Sequence, residues 1–321
     1  MTGCHNQCMA AQSGSQLRGP VRFGAMFPAN RPVLELVPFA RQVEALGFDE
    51  LWLAEDCFLH GGLTAASVAL ASTRTLAVGL GLLPTAVRNP AIAAMEIGTL
   101  AELFPERFHA AFGHGVEAWM RQIGARPPDR IQTLREVLGA VRRLLDGETV
   151  DVDGRAVTLR EVRLAHPPAR RPPLLVGTTG EQAIRVAAQL ADGVLLPEGA
   201  GPDAVAWVRD LLPPAATIGL YAWLRVDEDG ERAREGVVPT VRQWRDGGLY
   251  PRLVEHGAIP PAVGSADVTR VAIAGTPAEC AGAVRQLAEA GATTLMVMPV
   301  GEDRIDQVER FAREVMPLCR A

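Results

Sequence analysis

The chain has 321 residues, a formal net charge of −5, 48% hydrophobic residues and 21% charged residues. No run of like charges forms a basic stripe or a polybasic patch, so nucleic acid and membrane surfaces are excluded as partners and a small-molecule substrate is expected. All 32 basic residues are arginine, which excludes Schiff-base chemistry, a pyridoxal phosphate anchor and a P-loop, each of which needs a lysine amine.

Residues 1–19, rich in Gly, Ser and Gln, read as a disordered tail, and residues 20–321 as a single domain. Cys4, His5 and Cys8 stand close together in that tail without further ligands at suitable spacing, so no metal site is expected. The five cysteines lack a CxxC pair and come without a signal peptide, which fits reduced thiols in a cytoplasmic protein. No apolar stretch reaches the length of a membrane span.

From Val21 onward, apolar strands alternate with amphipathic helices. VRFGAMF is the first strand, and a helix over about Val33–Leu46 stops at Gly47. ELWLA (Glu50–Ala54) is the second and delivers Glu55-Asp56-Cys57-Phe58. Leu76–Leu83 is the third, followed by a Pro/Arg/Asn loop and a helix from Pro90 to Leu103. Arg107–Phe112 is the fourth and empties into Gly113-His114-Gly115, before a long helix from Arg130 to Leu145. Short alternating runs from Thr149 to Leu164 around Asp153-Gly154 read as a hairpin decoration.

Pro173–Val176, Asp192–Leu196 and Ala216–Val226 continue as strands five to seven. The Gly/Pro-interrupted stretch 230–271 is longer than an ordinary connection and reads as a lid or substrate-side insertion. Thr276-Pro277 opens a helix closed by Ala290-Gly291, TTLMVMP is the eighth strand, and a last helix covers Asp303–Met316. Eight doubly buried strands with crossover helices predict an α/β fold, an eight-stranded parallel β/α (TIM) barrel with insertion segments, whose active site lies at the strands' C-terminal ends.

At those ends stand the candidate residues. Gly177-Thr178-Thr179-Gly180 joins a buried strand to a helix start, where free N–H groups and the helix dipole suit a phosphate; a plain tight turn wants the same glycines. Glu55 and Asp56 are adjacent and face opposite ways, so only one points into the pocket; their alternative role is a helix cap or ion pair. His114, between two glycines, and His60, before Gly61-Gly62, are the histidines placed for a pocket. His5, His109, His166 and His256 read as structural or solvated. Trp119, Tyr221, Trp223 and Trp244 either line a pocket or pack the core.

The stretches VEALGFDELWLAED, LAVGLGLLPTAVRNPAIAAMEIGTLAEL, RFHAAFGHG, REVLGAVRRLLDGETVDVDGR and PPLLVGTTGEQAIRVAAQLADGVLLP give the chain its resemblance to the bacterial luciferase-like superfamily. Within it the chain resembles the coenzyme F420-dependent branch similar to methylenetetrahydromethanopterin reductase. The resemblance implies a homodimeric barrel enzyme holding coenzyme F420, or alternatively FMN, in its C-terminal mouth. It places Gly81-Leu82 at a non-prolyl cis peptide that bulges against the ring, Glu55 at a cofactor-contacting acid, Gly113, His114 and Gly115 beside the ring, and Gly177, Thr178, Thr179 and Gly180 at the cofactor's phosphate.

Many relatives carry a histidine directly after the acid of the second strand, where this chain has Asp56 and then Cys57, so a histidine relay at that position is ruled out. The proton-donor candidate by position is Asp56, with His60, His114 or water as substitutes; an aspartate needs burial to serve at neutral pH. Sugar-phosphate dehydrogenases of the branch use lysines on the substrate phosphate, so that activity is disfavoured. Hydride transfer to or from a C=N or C=C bond is the expectation, with a reduced-FMN monooxygenase and a non-catalytic barrel as alternatives.

Overall fold

The computed structural model describes residues 21–247, 251–257 and 263–320. The expected tail, with Cys4, His5 and Cys8, lies outside the described residues, as do 248–250 and 258–262 of the expected insertion.

Strands run in chain order as β1 (Arg22–Met26), β2 (Glu50–Leu53), β3 (Ala77–Pro84), β4 (Phe108–Gly113), β5 (Val150–Asp153), β6 (Thr158–Val162), β7 (Leu174–Gly177), β8 (Gly193–Leu196), β9 (Thr217–Val226), β10 (Ala272–Gly275) and β11 (Thr294–Pro299). Eight of them close a parallel barrel in the order β1-β2-β3-β4-β7-β8-β9-β11, with β11 returning to β1. All eight strands expected from the apolar runs are present, and the barrel is as the sequence predicts.

Several elements were not foreseen, among them the helices Glu117–Gln122 and Pro202–Asp210. Gly62–Ser72 is a helix between β2 and β3; its residues are mostly small, and its polar positions are only Thr and Ser without a charge, so its 3.6-residue pattern is weak. The four-residue β10 pairs in parallel with the far end of β9, outside the ring. Within 149–164, β5 and β6 form an antiparallel pair. In the stretch after β9, a helix spans Gly230–Asp246 and buries Trp244 edge-on against Trp223 of β9 (ring centroids 5.6 Å apart), so both aromatics are packing residues.

The barrel interior is built around one indole. Trp52 of β2 is buried between Gly24 of β1 and Gly79 of β3, and a Cβ on Gly79 would lie 2.3 Å from the ring. Trp52, Ala111, Leu175, Leu195, Tyr221 and Met296 form one inward cluster, with Met26, Leu82 and Met298 packed on it. Below it, Glu50 is 2% exposed and ties the indole Nε1–H (2.6 Å) and the Arg22 guanidinium (2.7 Å). The lower barrel is thus filled, and a ligand can enter only from the C-terminal mouth.

Candidate active site

The third strand carries the irregularity that shapes the mouth. The Gly81–Leu82 peptide is cis, and the β3–β4 register shifts between Gly81 and Leu83. The shift throws the Leu82 side chain across the ends of two neighbouring strands: a Cβ on Gly113 or on Gly177 would each come 2.5 Å from Leu82 Cδ2. Glycine at both strand ends therefore makes room for this leucine, which lies part-buried on the inward cluster as an apolar shelf. Gly81 meets Tyr221 from behind, whose hydroxyl donates to the Gly81 carbonyl (3.4 Å).

Glu55 and Asp56 diverge just past β2. Glu55 is held by both terminal nitrogens of Arg88, one contact being Nη2 to Oε2 at 2.9 Å, and it accepts the Gly62 N–H at 3.1 Å. Arg88 also reaches Glu96 (3.2 Å). With 13% and 25% of their side chains exposed, Glu55 and Arg88 form a part-buried ion pair in the wall; a carboxylate so engaged orients the loop after β3. Asp56 has no such partner among the described residues, and burial pushes its carboxyl above the usual aspartate range.

Glu198, two residues beyond β8, was not singled out in the sequence. Burial pushes its carboxyl up, its own backbone N–H works against this, and the charge of Asp56 adds to the rise. Tyr221 is raised well above the ordinary tyrosine range, first by burial and then by the charges of Glu198 and Asp56. Asp56 and Glu198 thus follow the C-terminal ends of β2 and β8, and their charges act on the buried Tyr221 of β9. The signal that could have found Glu198 is the one that found Glu55: an acid just past the C-terminal end of a barrel strand.

His114 follows β4. Burial, reinforced by the positive charge of Arg130, lowers its pKa and keeps the imidazole neutral, and its buried Nδ1 has no hydrogen-bond partner in the described structure. An orphaned buried nitrogen in a mouth is a contact waiting for a ligand. Gly115 takes φ +69°, a turn that favours glycine. His60 is already engaged, its Nε2 lying 2.7 Å from the Arg31 carbonyl. His109 is buried beside Trp52, and His256 stacks on Trp207 at 3.9 Å.

In the Gly177–Gly180 loop, the Thr178 N–H donates to Leu195 O (3.2 Å) and the Gly180 N–H to Thr178 Oγ1 (3.0 Å). Those two amides are spent inside the protein, so an anion here would rely on Thr179 and the first turn of the helix Glu181–Leu190, which Gly180 caps. Outside the barrel, a cavity of about 560 Å³ is lined by Arg88, Asn89, Arg126, Gln132 and Arg155. Arg88 and Arg126 are neutralised there by Glu55 and Glu117.

No group of His, Cys, Asp and Glu among the described residues could hold a metal, and no described helix is long and apolar enough to cross a membrane.

The chain is similar along nearly its whole length to characterised proteins. It is 24% identical to 5,10-methylenetetrahydromethanopterin reductase of Methanolobus tindarius, covering 92% of this chain and 99% of that protein. It is 27% identical to an F420-dependent glucose-6-phosphate dehydrogenase of Intrasporangium calvum, over 89% and 95% of the two chains. Among solved structures it resembles the FMN complex of the oxygenating constituent of 3,6-diketocamphane monooxygenase of Pseudomonas putida, with a TM-score of 0.74, 17% identity and coverage of 93% and 98%. The family model described as luciferase-like monooxygenase matches residues 17–294, and with the barrel and its bulged third strand this establishes the chain as an oxidoreductase of the luciferase-like family.

Proposed function

We propose that this enzyme uses coenzyme F420 to move a hydride between the central-ring carbon of the deazaflavin and a C=N or C=C bond of a small organic substrate. The observation that carries the reading is the shelf that Leu82 makes over Gly113 and Gly177, an apolar surface of the kind that backs one face of a planar ring. The name of the Intrasporangium relative, an F420-dependent dehydrogenase, favours the deazaflavin over FMN.

The residues fit such a group. Leu82 would cover one face of the ring and leave the other open to the substrate. His114 Nδ1 would take a hydrogen bond from a polar atom of the cofactor, Gly113 and Gly115 would let it approach the backbone, and the helix start after Gly180 would hold its phosphate. Glu55 acts on the site through Arg88 and the loop after β3. When bound, the coenzyme supplies a two-electron hydride donor or acceptor. Asp56 and Glu198 are the groups in the mouth able to hold a proton. No lysine is present to hold a substrate phosphate, so a sugar phosphate is a poor substrate.

A second reading, a monooxygenase using reduced FMN and oxygen, is favoured by the likeness to the diketocamphane enzyme. The working unit is a homodimer joined through the helices Gly62–Ser72 and Pro90–Leu103, which leave Val68, Ile92, Met95 and Leu103 exposed. Anaerobic mixing of enzyme, reduced F420 and a panel of imines and enones tests the reaction class. Oxidation of the deazaflavin that depends on substrate and needs no oxygen supports hydride transfer; substrate-dependent oxygen uptake with reduced FMN supports oxygenation.

A further inference from the structure

Side chains alternate between the two faces of a strand, so the residue two places above an inward position also points inward. Gly24 faces the barrel axis, since a Cβ there would lie 3.0 Å from Met296 Cγ and 3.2 Å from Trp52 Cδ1, and Met296 itself belongs to the inward cluster. Met26 and Met298, two residues further along β1 and β11, therefore stand one layer above Gly24 and Met296, at the C-terminal ends of their strands. The cluster beneath is buried, whereas Met26, Leu82 and Met298 are part-exposed and packed on it. An inward side chain on top of a filled layer can meet solvent only in the mouth.

The three do not share a wall. In the ring β1-β2-β3-β4-β7-β8-β9-β11 the strand opposite β1 is β7, and the strand opposite β11 is β4. Leu82 lies against Gly113 of β4 and Gly177 of β7, so Met26 and Met298 stand across the mouth from the shelf. A planar group backed by Leu82 would have the two methionines on its open side. Each is an unbranched thioether without a hydrogen-bond donor, adaptable enough to fit an irregular apolar body and favourable against an aromatic ring. A carboxylate pressed against them would lose its water without gaining a partner.

We propose that Met26 and Met298 form the substrate-side wall of the mouth, and that they select an unsaturated substrate bearing an aryl or alkyl group beside the reacting bond over one bearing a carboxylate there. The proposal rests on the hydride-transfer reading above.

The test uses two enones that differ at one end, benzylideneacetone and acetylacrylate, the second with a carboxylate in place of the phenyl ring. With reduced F420 under anaerobic conditions, wild type is expected to favour benzylideneacetone in kcat/KM by about tenfold or more, the scale of one apolar group in a pocket. Met26→Gln/Met298→Gln, which keeps the volume but adds polar amides, narrows that ratio about tenfold, through KM. Met26→Leu/Met298→Leu, volume-conserving and apolar, keeps it. Calorimetric titration of each protein with the saturated products, benzylacetone and levulinate, reads the same preference without turnover. A wild type that lacks the preference, or a Gln variant that retains it, would overturn the assignment. Absence of F420 binding to wild type in a fluorescence titration sinks the hydride-transfer reading instead, and the two saturated products still decide whether the methionines select.

Discussion

Leu82 Cδ2 occupies the space that a Cβ on Gly177 would need, 2.5 Å away. The neighbours of that Cβ are all atoms of the Leu82 side chain, so Gly177→Ala pushes the leucine off its shelf while leaving backbone contacts in place. Cofactor affinity is expected to fall about tenfold, the effect of roughly 1.4 kcal/mol. In the double variant Gly177→Ala/Leu82→Ala the clash is gone, and the two changes couple non-additively by 0.5 kcal/mol or more. Fluorescence titration of the four proteins measures this, and strictly additive losses would contradict it.

The Glu55–Arg88 pair crosses 33 residues of sequence to join the end of β2 to the loop after β3. Arg88→Met leaves a part-buried carboxylate uncompensated and costs about 3 kcal/mol, the lower range for breaking such a pair. Adding Glu55→Gln recovers part of that loss. Urea denaturation of both variants gives the comparison; equal stability of the single and double variants would show that the pair is not coupled.

Glu44 caps the turn before β3. Burial alone would raise its pKa, but the N–H groups of Arg74, Thr75 and Leu76 and the Thr75 hydroxyl, at 2.7–3.1 Å, bring it down to about 2. A carboxylate with a lowered folded pKa stabilises fully above its unfolded value near 4.5, and that contribution is lost as pH falls toward 2. Glu44→Gln is therefore less stable than wild type at pH 7, and the gap narrows below pH 4.5. A gap that is constant with pH would show that the carboxylate's charge plays no part.

Ile92 and Met95 are 48% and 53% exposed on a helix whose residues are otherwise largely apolar. Burying them against a second copy is the cheapest way to remove that surface from water. Ile92→Arg/Met95→Glu is expected to halve the mass seen by light scattering without loss of the circular dichroism signal. A wild-type monomer, or a double variant that keeps the wild-type mass, would remove these helices as the interface.

The barrel was legible because parallel strands buried on both faces leave apolar runs, and glycine, proline and capping residues punctuate them. Gly62–Ser72 was not, since a helix of mostly small residues, with Thr and Ser but no charge, has only a weak polar face to set a period. Glu55 was legible by position, but its Arg88 partner was not: an ion pair across 33 residues depends on how two loops fold back, which periodicity does not encode. Glu198 stands two residues past β8, the same kind of position as Glu55, but in a Pro-Glu-Gly-Ala loop without a motif it was passed over. The Gly177–Gly180 loop was read as offering free amides, and two of them are used internally.

The central claim is that the Leu82 shelf backs a deazaflavin. Equilibrium fluorescence titration of the wild-type chain with F420 and, separately, with FMN tests it most directly. The account predicts saturable F420 binding that is tighter than FMN binding and weakened in Gly177→Ala. Tighter binding of FMN, or of neither cofactor, would contradict it.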